Sequence, residues 1–125
     1  MSTPRTDAYA AFLGVDVIGH GGGRAEATVV VSEDHLNPHG TAHGSFLFSL
    51  AGIALAAAAN DDEHSGVVSA VQIDYLRPAR PGDALVARAE LAERLTKEDL
   101  FVIRVTDGDE LVARATGRAN RRTRA

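Results

Sequence analysis

The spacing of apolar positions changes along this chain, and each change marks the edge of a predicted element. In DAYAAFLG, residues 7–14, Tyr9, Phe12 and Leu13 share one face of a short helix, and Gly14 ends it. VDVIGHGGGRAEATVVVS alternates on either side of a glycine cluster at 21–23, which predicts a hairpin with strands near 15–20 and 24–32. EDHLNPHGTAHG, residues 33–44, has no period and reads as a loop. Residues 45–60 are apolar on nearly every side, the pattern of a buried helix. DDEHSG breaks that helix, and four strands follow: SGVVSAVQIDYLRP, ALVARAELAERL, DLFVIRVT and LVARATGRAN. RPARPGD closes the first, a polar turn at 96–99 joins the next pair, and TDGDE carries an Asp-Gly hairpin signal. Residues 1–6 and 121–125 read as flexible ends of a single domain spanning 1–125.

The predicted order is helix, two strands, buried helix, then four strands, of which the last three form an antiparallel meander. A lone apolar helix needs cover, and a curved antiparallel sheet wrapping it satisfies both elements. One helix cannot cover a whole sheet, so a second copy of the chain is expected. The fold class is α+β. Composition agrees: 125 residues with 45% hydrophobic and 24% charged side chains suit one globular domain. A formal charge of −4 makes nucleic acid a poor partner. The absence of Cys removes disulfides, thiolate metal sites and a Cys nucleophile together, and fits a reducing compartment. The N-terminus shows no signal-peptide core, and the apolar run Phe46 to Ala59 falls short of the roughly 20 residues that span a bilayer. A soluble cytoplasmic protein, with no membrane partner, is the expectation.

Candidate chemistry gathers at the start of the long helix. The leading N–H groups of a helix have no partner inside it, and the dipole adds positive potential there. Gly44 is therefore either a capping glycine or a backbone donor open to a developing oxyanion. His35, His39 and His43 are evenly spaced, but Pro38 and Gly40 prevent the helix that would align them, and no carboxylate completes a zinc set. No metal is expected; a loop held by polar side chains is, with Asn37 able to aim its amide at a water or a carbonyl. At about 100° per residue, Ser45, Ser49, Gly52, Ala56 and Ala59 form a thin stripe on the helix. Gly52 costs that helix about 0.5–1 kcal/mol relative to Ala, so something is expected to pack close there: a partner helix, the sheet or a ligand.

HLNPHGTAHGSFLFSLAGIALAAAAN resembles the signature of the hotdog-fold acyl-CoA thioesterases, in particular the phenylacetic acid degradation thioesterase group. QIDYLRPARPGD is similar to that group's strand and turn, and the resemblance runs from about residue 10 to 120. It implies a long helix wrapped by an antiparallel sheet of about six strands. It also implies homodimers or homotetramers with active sites shared between subunits, and coenzyme A present only as part of the substrate. By position, Asn37 matches the family's Asn that holds the nucleophilic water or thioester. Gly44, framed by His43, matches the backbone N–H that polarises the thioester carbonyl. The family's carboxylate, a general base or nucleophile, stands in a helix reading LAD; this chain reads LAG, and Gly52 leaves that position vacant. Eight helical residues rise about 12 Å, so Gly44 and position 52 of one chain cannot share a carbonyl, whereas an antiparallel partner helix brings them together.

The vacant position leaves three readings. Hydrolysis survives with water held by Asn37 or Ser49; or the base has moved to Asp74, on one strand face with Gln72; or the protein binds or senses acyl-CoA without hydrolysing it. Asp61, Asp62 and Glu63 lie at least about 13 Å further along the helix axis, too far to serve. Ala70 stands where the family often has Ser or Thr, with Ser69 adjacent, and Ser45 replaces a common second glycine and narrows the pocket mouth. Phe46, Phe48 and the thin stripe suit an aryl or a short to medium acyl chain. Arg77, Arg80, Arg118, Arg121 and Arg122 are candidates for the CoA phosphates, because guanidinium pairs well with phosphate, although each alone also fits a solvated surface. An atypical acyl-CoA thioesterase is the reading favoured by sequence.

Overall fold

A computed structural model describes residues 7–123; the expected flexible segment 1–6 and residues 124–125 lie outside it. The elements run in the order α1 (Ala8–Leu13), β1 (Asp16–Gly21), β2 (Arg24–Val30), a 3-10 turn (Glu33–His35), α2 (Gly44–Ala58), β3 (His64–Tyr75), β4 (Ala84–Arg94), β5 (Glu98–Asp107) and β6 (Glu110–Thr123). The turn between β1 and β2 needs two left-handed residues, and Gly22 and Gly23 supply them at φ 64° and 79°. The six strands form one sheet in the order β1-β2-β4-β5-β6-β3, every pair antiparallel. The long helix lies against that sheet, which is the hotdog arrangement the sequence led us to expect.

The core explains the alternation. Ala27 of β2, Leu85 and Ala87 of β4, Phe101, Ile103 and Val105 of β5, and Ala113 and Ala115 of β6 are buried. From α2, Leu47, Leu50, Ala51, Ala54, Leu55 and Ala58 are buried. Burial of each large side chain contributes about 1.5–3 kcal/mol. Two glycines let sheet and helix close up: a Cβ at Gly117 would stand 2.5 Å from Leu55 Cδ2, and one at Gly66 would stand 2.8 Å from the Ala59 carbonyl oxygen. No helix among the described residues is long and apolar enough to cross a membrane.

Tyr9 and Phe12 share a face as expected, their rings stacked at 6.5 Å; that face is open, and Ala10 is the residue of α1 that enters the core. Three local expectations need correction. The long helix is not buried all round, because the sheet covers only one side; Ser45 and Phe48 are exposed and Ser49, Gly52 and Ala56 half-buried. Among the described residues nothing packs against the thin stripe at its centre, since a Cβ at Gly52 would meet no atom within 4 Å. Finally, residues 121–123 are strand rather than a frayed end. Arg121 pairs with the buried carboxylate of Asp99 and donates to the carbonyls of Leu95 at 2.8 Å and Thr96 at 3.0 Å. Those bonds turn a sequence that looks like a solvated tail into the last rungs of β6 beside β3.

Candidate active site

The loop before α2 is built by three side chains that bond to backbone. His35 is buried, with its ring stacked on Phe46 at 3.8 Å. Its Nδ1 accepts the Ser32 N–H at 2.9 Å, so Nε2 carries the proton and donates to the Leu13 carbonyl at 2.8 Å. The backbone of His35 then takes the His43 N–H at 2.7 Å, which sets where α2 begins. Asn37 folds into its own turn. Its Oδ1 accepts the N–H groups of His39 at 2.9 Å and Thr41 at 3.2 Å, and its Nδ2 donates to Thr41 Oγ1 at 2.9 Å. The Asn37 oxygen is thereby spent, and one Nδ2 hydrogen remains for a ligand. The three histidines diverge: His35 points into the core, His39 is exposed in the turn, and His43 caps α2. Among the described residues no three His, Cys, Asp or Glu are grouped to hold a metal ion.

Gly44 is the first residue of α2. Of the four leading amides, Ser45 donates to His43 Nδ1 at 3.0 Å, and Phe46 and Leu47 donate to the His43 carbonyl at 2.9 and 3.1 Å. The Gly44 N–H is left without such a partner among the described residues. Over Gly44 lies Tyr75, the last residue of β3, whose hydroxyl donates to the Gly44 carbonyl at 2.8 Å. A Cβ at 44 would stand 3.3 Å from that ring, a tight contact that glycine avoids. Reading by residue type missed Tyr75. The signal was present in the alternation, because Tyr75 must face opposite to its neighbour Asp74, but only the register shows that its face is the helix side.

Gly44, Ser45, Phe48, Ser49 and Gly52 all lie along the uncovered side of α2. The Ser49 hydroxyl donates to the Ser45 carbonyl at 2.9 Å and lies 3.1 Å from the Tyr9 hydroxyl, so its hydrogen is occupied. Gln72 and Asp74 are elsewhere, exposed on the outer sheet face, and Asp74 lies 3.6 Å from Arg114 of the neighbouring strand. Within one chain neither approaches the helix start. Ser69 occupies a bulge in β3 and donates to the Arg118 carbonyl at 3.3 Å. Of the arginines, Arg77 pairs with Glu110, Arg118 lies 3.8 Å from Glu98, and Arg121 is spent on Asp99. Arg80 and Arg122 make no ion pair among the described residues. Two surface grooves of about 520 and 640 Å³ lie apart from this side of α2, one on the outer sheet face beside Gln72 and Thr116, the other between α1 and Ser32. The chain thus presents a helix-start donor beside an open, carboxylate-free helix face.

Comparison with known proteins adds to this geometry. Residues 39–113, from inside the loop to the start of β6, match the family model of the thioesterase superfamily. Acyl-coenzyme A thioesterase PaaI of Escherichia coli (strain K12) is 37% identical over 116 residues, covering 92% of this chain and 83% of that protein. The structure of the E. coli PaaI protein from the phenylacetic acid degradation operon matches with a TM-score of 0.88, over 93% of this chain and 85% of that one, at 37% identity. A mutant of the phenylacetic acid degradation protein PaaI from Thermus thermophilus matches with a TM-score of 0.86, over 95% of this chain and all (100%) of that one, at 34% identity. With the same helix, sheet and helix-start loop in hand, the chain belongs to the thioesterase superfamily, among the hotdog-fold acyl-CoA thioesterases of the phenylacetic acid degradation group.

Proposed function

We propose that this protein hydrolyses an aryl- or short to medium acyl-CoA thioester, with the Gly44 N–H as the donor to the oxyanion. The observation that carries the reading is the first turn of α2, where three leading amides are capped and that of Gly44 is left for a ligand. Water adds to the thioester carbon and gives up one proton to solvent, the carbonyl oxygen takes the negative charge against Gly44, and collapse of the adduct breaks the C–S bond to release the free acid and coenzyme A, whose sulfur takes a proton back from solvent. The remaining Nδ2 hydrogen of Asn37 is a donor only; it orients the water oxygen or the carbonyl and removes no proton. No carboxylate stands on the open face of α2 to act as base, which makes the enzyme an atypical and slow one. His43 and Ser45 edge the site, Phe48 offers an apolar wall to the acyl group, and the unpaired Arg80 and Arg122 are the better candidates for the CoA phosphates.

The reading includes a homodimer. β3 is a 12-residue strand at the open edge of the sheet, with Val67, Tyr75 and Leu76 exposed along and just beyond it. Long apolar edges pair with other chains unless they are covered. A second copy paired along β3 about a two-fold axis runs its helix antiparallel and brings its position 52 toward the first chain's Gly44. A dimer of such dimers is the tetramer that the family resemblance implies. The second reading, acyl-CoA binding or sensing without hydrolysis, is favoured by one observation, the empty space at Gly52.

The test is thiol release from a panel of acyl-CoAs, phenylacetyl-CoA included, by wild type and Gly52→Asp. Wild type is expected to turn over slowly. The Asp variant, whose side chain has room, is expected to gain up to the roughly 10²–10⁴-fold that general-base help supplies. Binding without release by wild type, with gain in the variant, supports the sensing reading. Silence from both overturns the thioester reading.

A further inference from the structure

Gly44 places the most flexible residue type at the point where the proposed chemistry needs a donor held still. Two peptide planes meet at it. The plane joining residues 43 and 44 is held through its carbonyl, which accepts from Phe46 and Leu47. The plane joining 44 and 45 is held at both ends: its N–H donates to His43 Nδ1 at 3.0 Å, and its carbonyl accepts the Tyr75 hydroxyl at 2.8 Å. Of these restraints, only the Tyr75 bond comes from outside the helix and its cap. The Gly44 carbonyl already has a helical acceptor role toward the amide four residues on, so the tyrosine adds a second bond to an oxygen that did not need one. Tyr75 is 51% exposed, and this hydroxyl bond together with its contact over Gly44 seats the ring.

We propose that Tyr75 is a positioning residue, fixing the direction of the Gly44 amide by clamping the peptide that follows it. The proposal rests on the reading of Gly44 as the oxyanion donor. A preorganised donor stabilises the developing charge without reorganising at the moment of reaction. A misplacement of about 1 Å at a reacting centre can cost about 10²-fold in rate. Glycine at 44 also suits the clamp, since a Cβ there would stand 3.3 Å from the ring and require it to shift by a few tenths of an ångström.

Tyr75→Phe removes the hydroxyl and keeps the ring, so the fold is retained. Two readouts are taken on it: the resonance position and order parameter of the Gly44 amide by nuclear magnetic resonance, and kcat and KM for the best substrate of the acyl-CoA panel. The Gly44 amide is expected to shift and its order parameter to fall. We expect kcat to fall about tenfold, short of the roughly 10²–10³-fold lost when a donor itself is removed, with KM within about twofold. An unchanged Gly44 amide overturns the proposal whatever the rate does. A rise in KM alone also overturns it, because that marks a substrate contact. If wild type releases no thiol from any substrate while the Gly44 amide still responds to Tyr75→Phe, the loss falls on the thioesterase reading and the coupling stands.

Discussion

Where α2 ends, two N–H groups converge on one carboxylate oxygen. Asp61 Oδ1 accepts from His64 at 2.7 Å and Glu63 at 2.9 Å, with the His64 imidazole at 3.4 Å. Burial pushes the Asp61 carboxyl up, but these bonds and the imidazole together outweigh it and hold the group below its ordinary value of 3.8. A depressed carboxylate contributes stability that is present above the unfolded-state value and is lost as pH falls through the folded one. Asp61→Asn should therefore be the less stable protein at neutral pH, by under about 1 kcal/mol after solvent screening, and the gap should close on acidification below about pH 4. Denaturant melts of both proteins across that range check it, and a gap independent of pH would remove the charge from the account. At this scale the sequence was most readable where structure is local. The polar turn around Asn37 and the start of α2 at Gly44 are each legible from a few neighbours. The spent oxygen of Asn37 and the clamp on Gly44 were not, because one depends on how a turn closes and the other on a residue 31 positions away.

Elements were predicted well where the period was long and bounded by turn residues, as in β4, β5 and α2. Prediction failed where a polar stretch is rescued by partners distant in sequence. Arg121 reads as tail until Asp99 is placed beside it. The contact of β6 with α2 gives a direct test. Gly117→Ala places a methyl group against the fully buried Leu55, at a cost of about 1–3 kcal/mol typical of overpacking. Leu55→Ala opens a cavity worth about 2–5 kcal/mol. The double variant should be more stable than the two losses summed, because each change relieves the other. Strict additivity in thermal or urea unfolding would show that the helix and β6 do not meet as described.

For the whole molecule, the open edge of β3 sets the expectation. Sedimentation at increasing concentration should find wild type at twice the chain mass. Val67→Lys, which places a charge on that edge, should shift the protein toward monomer. Thiol release should then fall in step with the dimer fraction, since each proposed site needs two chains. A monomeric variant with full activity would confine the site to one chain. Pattern alone already called for a second copy, because one helix leaves a sheet partly uncovered; the resemblance found in the helix-start loop added the expectation of shared sites.

The open space at Gly52 has a consequence for descent. Glycine and aspartate codons differ at a single base, and no atom of the described residues opposes a Cβ at 52. A lineage with this scaffold can lose or regain the carboxylate in one step, without any compensating change in the core. Its chemistry and its architecture are therefore free to evolve separately, and a hydrolase and a thioester-binding protein can lie one mutation apart.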